Sequence, residues 1–227
     1  MKKVISFCIW GNDPKYNVGA IRNAEIAKEL YPDFECWFYI HEQSVLRETI
    51  EKLSSFDNTK VILKEGDLNH CKPMMWRYLP IDEPDVEVML SRDTDSRINL
   101  REKHAVDEWL SSNTLFHIMR DHPHHGNPVM GGMFGTKKIP QIPSWAELMN
   151  RVVQHSHYQY DQSFLADSIY PVIVNNSVIH ASFHRREGHA KNFPTSFDSE
   201  YRFVGEYIYA DESCNQGNRN QVRNGYI

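Results

Sequence analysis

Cysteine is scarce. Cys8, Cys36, Cys71 and Cys214 are the only four in 227 residues, and no two form a Cys-x-x-Cys pair. That argues against a zinc knuckle or a dithiol redox motif. Cys8 and Cys36 lie inside apolar runs and read as buried thiols, so a reducing compartment is the simpler assumption. No hydrophobic run approaches the roughly 20 residues of a membrane span. The start, Met1-Lys2-Lys3-Val4-Ile5-Ser6-Phe7-Cys8-Ile9-Trp10, has the flavour of a signal peptide. Its apolar run is too short, and Gly11-Asn12-Asp13-Pro14 ends it without a small-residue cleavage site. Positive charge is also in short supply. A net charge of −5 gives no electrostatic footprint for nucleic acid or an anionic membrane. There is no internal repeat and no coiled-coil heptad.

What is present suits one folded domain of about this length with a good core. Short apolar runs at 4–10, 35–40, 61–63 and 86–90 read as strands, and helical spacing covers 20–30 and 44–53, the latter with Ser44 as a possible N-cap. This β-α-β-α-β order predicts a parallel sheet with crossover helices. Residues 11–18 read as a loop, and 74–79 as a helix stopped by Pro80. Further on, 102–110, 145–153 and 160–165 read as helices. Residues 114–119, 172–174 and 178–180 read as strands. The first 212 residues form the expected domain, with halves at about 1–100 and 101–212. The polar segment 213–227 reads as a tail, ordered only if it packs on the body.

One stretch organises the rest: Ser91-Arg92-Asp93-Thr94-Asp95-Ser96-Arg97, at the end of the 86–90 strand. In an extended segment, residues two apart face the same side, so Asp93 and Asp95 can aim both carboxylates at one point. Hard oxygen ligands suit Mg²⁺ or Mn²⁺, with substrate phosphates and water completing the shell. Arg92 and Arg97 can neutralise those carboxylates or grip phosphate. A polar turn whose four charges pair is the plainer reading. In open α/β sheets ligands sit beyond the carboxyl ends of strands, which puts Trp10, Gly11 and Tyr16 beside the aspartates. Trp10 and Tyr16 can equally be core. Arg77, in an otherwise apolar segment, is free to face a phosphate. Arg120-Asp121-His122-Pro123-His124-His125-Gly126 is a second polar loop at a strand end, and its histidines suggest either a metal or a chance cluster. Gly131, Gly132 and Met133 belong to a glycine-dense segment that permits close approach to a ligand or a strand. Asp161 sits in the first turn of a helix, where a carboxylate is favoured without any catalytic role.

Taken together these pieces resemble the small GT-A glycosyltransferases, nucleotide-sugar-dependent enzymes with an Asp-x-Asp motif. The likeness is nearest to a group found in large DNA viruses and some bacteria. It is carried by Trp10-Gly11 with Tyr16-Asn17-x-Gly19, the Asp93/Asp95 loop and His117-Ile118-Met119-Arg120-Asp121-His122-Pro123. Gly131-Gly132-Met133-Phe134-Gly135, Tyr160-Asp161-Gln162-Ser163-Phe164-Leu165 and Phe203-Val204-Gly205-Glu206 complete it, in order, over about 4–212. The resemblance implies an α/β, Rossmann-like mixed and mainly parallel sheet flanked by helices in a single domain. It implies a hexosyltransferase whose Asp93 and Asp95 hold Mn²⁺ or Mg²⁺ on the donor diphosphate, with a late histidine completing the site. His180 is the best match and His184 the rival; Ala181 stands where close relatives carry an acidic residue. The loop after the first strand would hold base and ribose. The implied partners are a nucleoside-diphosphate sugar, UDP favoured over GDP, and a glycan or glycoprotein acceptor. The implied setting is cytoplasmic, in host cytoplasm if the chain is viral.

The chemistry also stands without the family. As a glycosidic bond to a diphosphate breaks, negative charge concentrates on the leaving group, and a divalent cation with arginines stabilises it. The acceptor hydroxyl must lose a proton, and Asp161 and Asp121 are the candidate bases. The resemblance adds that retaining relatives place a carboxylate or amide near the anomeric carbon, a place Asp161-Gln162 can take, so inversion and retention both remain open. Two rivals stand beside this: a degenerate transferase that only binds nucleotide or glycan, and a haloacid-dehalogenase-like phosphatase. The latter usually carries Asp-x-Asp on its first strand, and here three strands precede it.

Overall fold

The computed structural model describes residues 1–66, 68, 72–138, 144–152 and 160–225. Strand β1 (Lys2–Ile9) is buried from Val4 onward and lies at the centre of the first half. Helix α1 (Pro14–Leu30) begins six residues before the sequence pattern suggests, because Asp13 caps it and Pro14 takes its first turn. Turn-rich composition and a capped helix start look alike in sequence. Strand β2 (Phe34–His41), helix α2 (Arg47–Ser54) and strand β3 (Thr59–Lys64) follow. Ser44 does not cap α2; Leu46 holds that position without a side-chain bond. The Ser44 hydroxyl instead accepts the Gly11 N–H at 2.8 Å and bonds His41 Nδ1 at 2.8 Å, which pins the loop after β1.

The apolar 74–79 stretch is 3₁₀ rather than α-helical and runs from Lys72 to Asp82, through Pro80. Its last carboxylate, Asp82, accepts the N–H groups of Trp145 and Ala146 at the start of α4 (Trp145–Val152). Strand β4 (Val86–Arg92) and helix α3 (Leu100–Leu110) come between, followed by β5 (Phe116–Arg120). The glycine-dense segment supplies β6 (Met133–Lys137), a strand the sequence reading did not assign.

Residues 172–174 are a correction: they are helical, not a strand. Helix α5 (Tyr160–Phe164), a π turn at Leu165–Ile169, α6 (Tyr170–Ile173) and a 3₁₀ turn at Val174–Asn176 run on without a break. Val172 is exposed while Ile173 is buried, so packing overrides the β-branched propensity of Val-Ile-Val. Strand β7 (Ser177–Ala181) and helix α7 (Gln216–Arg223) complete the chain. The polar end does pack on the body: Arg219 Nε donates to Glu206 at 2.5 Å, its Nη1 to Glu200 at 2.8 Å, and Val222 is buried.

The strands form one sheet in the order β3-β2-β1-β4-β6-β5-β7. β1 pairs in parallel with β2 and β4, β2 with β3, and β5 with β7. Among the described strands only β6 runs against its neighbours, β4 and β5. The sequence climbs outward from β1 to β3 and then returns to the other side of β1 as β4. The order reverses between β1 and β4, and a crevice opens beyond their carboxyl ends, where such sheets bind ligands.

Candidate active site

That crevice is a cleft of about 430 Å³. Trp10 and Tyr16 line it from the β1 side; Asp93 and Asp95 line it from the β4 loop. Gly131, Gly132 and Met133 enter from the start of β6, and Asp161 and Gln162 from α5. Most of the residues singled out from sequence therefore meet in one place. Trp10 and Tyr16 also pack on the hydrophobic core, so the two readings of them are compatible.

Arg77 joins the two halves of the site. Its Nη2 donates to Asp161 Oδ2 at 2.6 Å, and its Nη1 pairs with Asp93 Oδ1. Tyr78 adds its hydroxyl to Asp161 Oδ2 at 3.4 Å. Arg77 is thus engaged by carboxylates rather than held free for a diphosphate. Asp161 is 1% exposed, and its Oδ1 has no hydrogen-bond partner among the described residues. Among the described residues no helix N–H donates to this carboxylate, so it makes no cap hydrogen bond of the kind its position in α5 suggests. The two glycines leave room for the cluster. A Cβ on Gly131 would run into Arg77 and Asp161, and one on Gly132 into the Asp93 carboxylate.

Asp95 is pushed up to about 6, first by burial and then by the Asp93 charge beside it. Two carboxylates facing one cleft, one of them disfavoured as an anion, form a hard-oxygen donor set that a divalent cation would relieve. Above them, Ile208 N–H donates to the Asp95 carbonyl at 2.8 Å, and Ser96 bridges to Tyr207. Lys15 Nζ lies 4.6 Å from the Tyr16 ring centroid and 5.6 Å from that of Tyr207. Helix α1 sets the height of the loop: a Cβ on Gly19 would fall on the Thr94 carbonyl oxygen. Gly19→Ala is therefore expected to destabilise the protein by about 1–3 kcal/mol through overpacking, outweighing the roughly 1 kcal/mol that alanine gains in a helix. Chemical denaturation checks it; a stabilised variant would show that α1 does not rest on this loop.

Five expected site residues stand elsewhere. Arg92 is 2% exposed; its Nε donates to Glu102 at 2.6 Å and its Nη1 to the Phe134 carbonyl at 3.0 Å. It points away from the cleft because β4 alternates sides and Asp93 takes the open one. Asp121 is fully buried and accepts from Arg101 at 2.8 and 2.9 Å, Ser182 at 2.5 Å and the Val204 N–H at 2.9 Å. A carboxylate so occupied has no lone pair for an acceptor hydroxyl. His180 bonds His117 at 2.8 Å and Glu108 at 3.3 Å, on the side of β7 facing α3. Burial pushes its imidazole down to about 4, and it does not meet Asp93 or Asp95. Gly11 adopts φ 77°, a left-handed turn suited to glycine, and shapes the β1 loop without lining the cleft. His184 is on the surface, its Nε2 against the Pro123 carbonyl at 2.5 Å.

The histidines of the second polar loop do not converge on a metal. His122 Nδ1 accepts the His124 N–H at 3.1 Å and its Nε2 meets the Asn218 carbonyl. Among the described residues no three His, Cys, Asp or Glu side chains stand together as a metal cluster. The sequence assigned no cleft role to Thr94, His125, Met130 and Gly205, which also line the cleft, or to Tyr78 behind Asp161. The Phe203-Val204-Gly205-Glu206 run was a faint signal of Gly205; the polar loop at 120–126 marked His125 only as one of three histidines that suggest a metal or a chance cluster. Cys8 and Cys36 are buried thiols as expected, both pushed up to about 12 by burial; Cys71 lies outside the described residues.

No protein-family model matches this chain, and no curated protein matches it. Solved structures do. An active-site mutant of LgtC aligns over 97% of this chain and 95% of its own, with 11% identity and a TM-score of 0.51. The galactosyltransferase LgtC in complex with donor and acceptor sugar analogs covers 78% of this chain and 73% of its own, at 15% identity and a TM-score of 0.47. A glycosyltransferase involved in glycosylation of the major capsid of PBCV-1 covers 80% and 82%, at 14% identity and a TM-score of 0.48. Among the described residues, no helix is long and apolar enough to cross a membrane. The likeness along nearly the whole chain, with the mixed seven-stranded sheet, shows a GT-A fold.

Proposed function

We propose that this chain is a metal-dependent glycosyltransferase that moves a sugar, of the hexosyl class, from a nucleoside-diphosphate sugar to a glycan or glycoprotein. The observation that carries the reading is that Asp93, Asp95 and Asp161 line one cleft at the β1/β4 switch point, with the buried Asp161 Oδ1 left without a hydrogen-bond partner among the described residues. The GT-A fold supports it. Asp93 and Asp95 would hold Mn²⁺ or Mg²⁺, with water and the donor diphosphate supplying the remaining ligands. When bound, the ion neutralises charge on the leaving diphosphate. His180 has no part in this set, because its ring nitrogens are taken up by His117 and Glu108.

Trp10 and Tyr16 offer aromatic faces to base and ribose. Arg77 keeps Asp93 and Asp161 in a fixed relation, so the metal side and the sugar side cannot drift apart. Asp161 Oδ1 is the acceptor aimed at the reacting sugar, as base for the incoming hydroxyl or as an orienting group for the anomeric carbon. Asp121 is left out on geometry. Gly131, Gly132 and Met133 form the wall along which an acceptor approaches. UDP-sugars are the first donors to try, ahead of GDP-sugars.

The test is a product assay with Mn²⁺ and a panel of nucleotide sugars. A transferase releases free nucleoside diphosphate, and Asp93→Ala and Asp95→Ala abolish that release while staying folded. Inorganic phosphate as the product would identify a phosphatase, and no product with nucleotide bound would identify a binding module.

A further inference from the structure

The loop between β5 and β6 places one side chain in the cleft that the mechanism above does not use. The Asp121 N–H donates to His125 Nδ1 at 3.1 Å. A nitrogen that accepts carries the lone pair, so the ring proton is on Nε2. The ring is wedged against Phe203, edge to face at 5.9 Å between centroids, and against His122 at 5.6 Å. Only 7% of the residue is exposed, and it lines the cleft. Nε2 has no hydrogen-bond partner among the described residues. The backbone has thus fixed both the tautomer and the aim of a lone N–H donor.

Burial, then the neighbouring His122, His124 and His184, push His125 down to about 3. The ring stays neutral at working pH and resists a second proton, so it is neither a base nor a cation for phosphate. Its neighbours narrow the ligand further. Asn127 donates to Gln162 Oε1, which leaves the Gln162 NH₂ as a second donor in the same cleft. Asp161, which lines the cleft as well, carries in Oδ1 an acceptor without a partner among the described residues. Two neutral donors and a carboxylate lining one cleft match a hydroxyl group, which both donates and accepts. They do not match a phosphate oxygen, which only accepts and which Asp161 would repel.

We infer that His125 donates its Nε2 proton to a hydroxyl of the donor sugar and so helps to decide which hexose the cleft takes. This rests on the proposed function. A site built to bond a hydroxyl discriminates strongly against a ligand that lacks it or turns it away, because the buried donor is then left unmet.

Calorimetry with Mn²⁺, comparing UDP with UDP-glucose and UDP-galactose, tests it (GDP and GDP-mannose serve if the protein selects guanine). His125→Phe keeps the ring packing and removes the donor. It is expected to weaken the better UDP-hexose about tenfold while leaving UDP within about twofold, and His125→Gln, which restores an Nε2–H donor, should recover part of the loss. Equal weakening of UDP and UDP-hexose, or no change in either, would overturn the assignment. If wild-type protein bound no nucleoside diphosphate at all, the functional reading itself would fall, a separate result. Should the Phe variant not fold, ¹⁵N spectra of wild-type imidazoles decide: the His125 Nε2–H resonance should move with UDP-hexose and not with UDP. A resonance indifferent to the sugar would refute it.

Discussion

Asp161→Asn is expected to lower turnover about 10²-fold or more, in line with the loss of a positioned base or orienting carboxylate, while affinity for the free nucleoside diphosphate stays nearly constant. The geometry separates this from a structural effect. Among the described residues the carboxylate hydrogen-bonds Arg77 and Tyr78 through Oδ2 alone, and no backbone N–H of α5 reaches it. Asparagine keeps an oxygen for Arg77, and Arg77 keeps Asp93, so the fold loses about 1.5–3 kcal/mol, the range for a hydrogen bond to a charged group. Kinetics measured well below the melting temperature then report on chemistry. Near-normal transfer by a variant with a lowered melting temperature would make Asp161 a structural anchor and nothing more.

Arg92→Met should instead act on stability. Arg92 and Glu102 are a buried ion pair, with side chains 2% and 3% exposed. Removing one partner strands the other charge, which typically costs about 3–5 kcal/mol. Tyr31, whose hydroxyl is 3.5 Å from Glu102 Oε1, cannot neutralise it. Adding Glu102→Met to Arg92→Met should recover most of the loss, since two methionines of similar volume replace a desolvated pair. If Arg92 gripped the donor diphosphate, the single variant would keep its stability and lose nucleotide affinity. Equilibrium denaturation beside nucleotide titration distinguishes the two results.

Much of this architecture was legible because it rests on local signals. The apolar runs of β1, β2 and β4 and the spacing of α1 to α3 gave the parallel half. The Asp-x-Asp spacing after a buried strand located the cleft. What stayed hidden depends on long-range contacts. Arg92 and Asp93 are adjacent in sequence, and only the strand register and the position of α3 decide that one is buried and the other open. Asp121 and His180 look like site residues in sequence, and Arg101 and His117 claim them from other elements. His125 becomes interesting only once the Asp121 N–H fixes its tautomer. Val172-Ile173-Val174 has strand chemistry but sits in a helical run because only one of its faces is covered.

The most direct measurement is calorimetric titration of the wild-type protein, Asp93→Ala and Asp95→Ala with UDP and GDP, each with Mn²⁺ and with chelator. Wild-type protein should bind one of the two nucleotides when Mn²⁺ is present and lose that binding when it is removed. Each alanine variant should bind weakly whether or not metal is added, with a melting temperature close to wild type. Nucleotide binding that is equally tight without metal, or that survives intact in either variant, would contradict the assignment of Asp93 and Asp95 as the metal-holding pair of a nucleotide-sugar transferase.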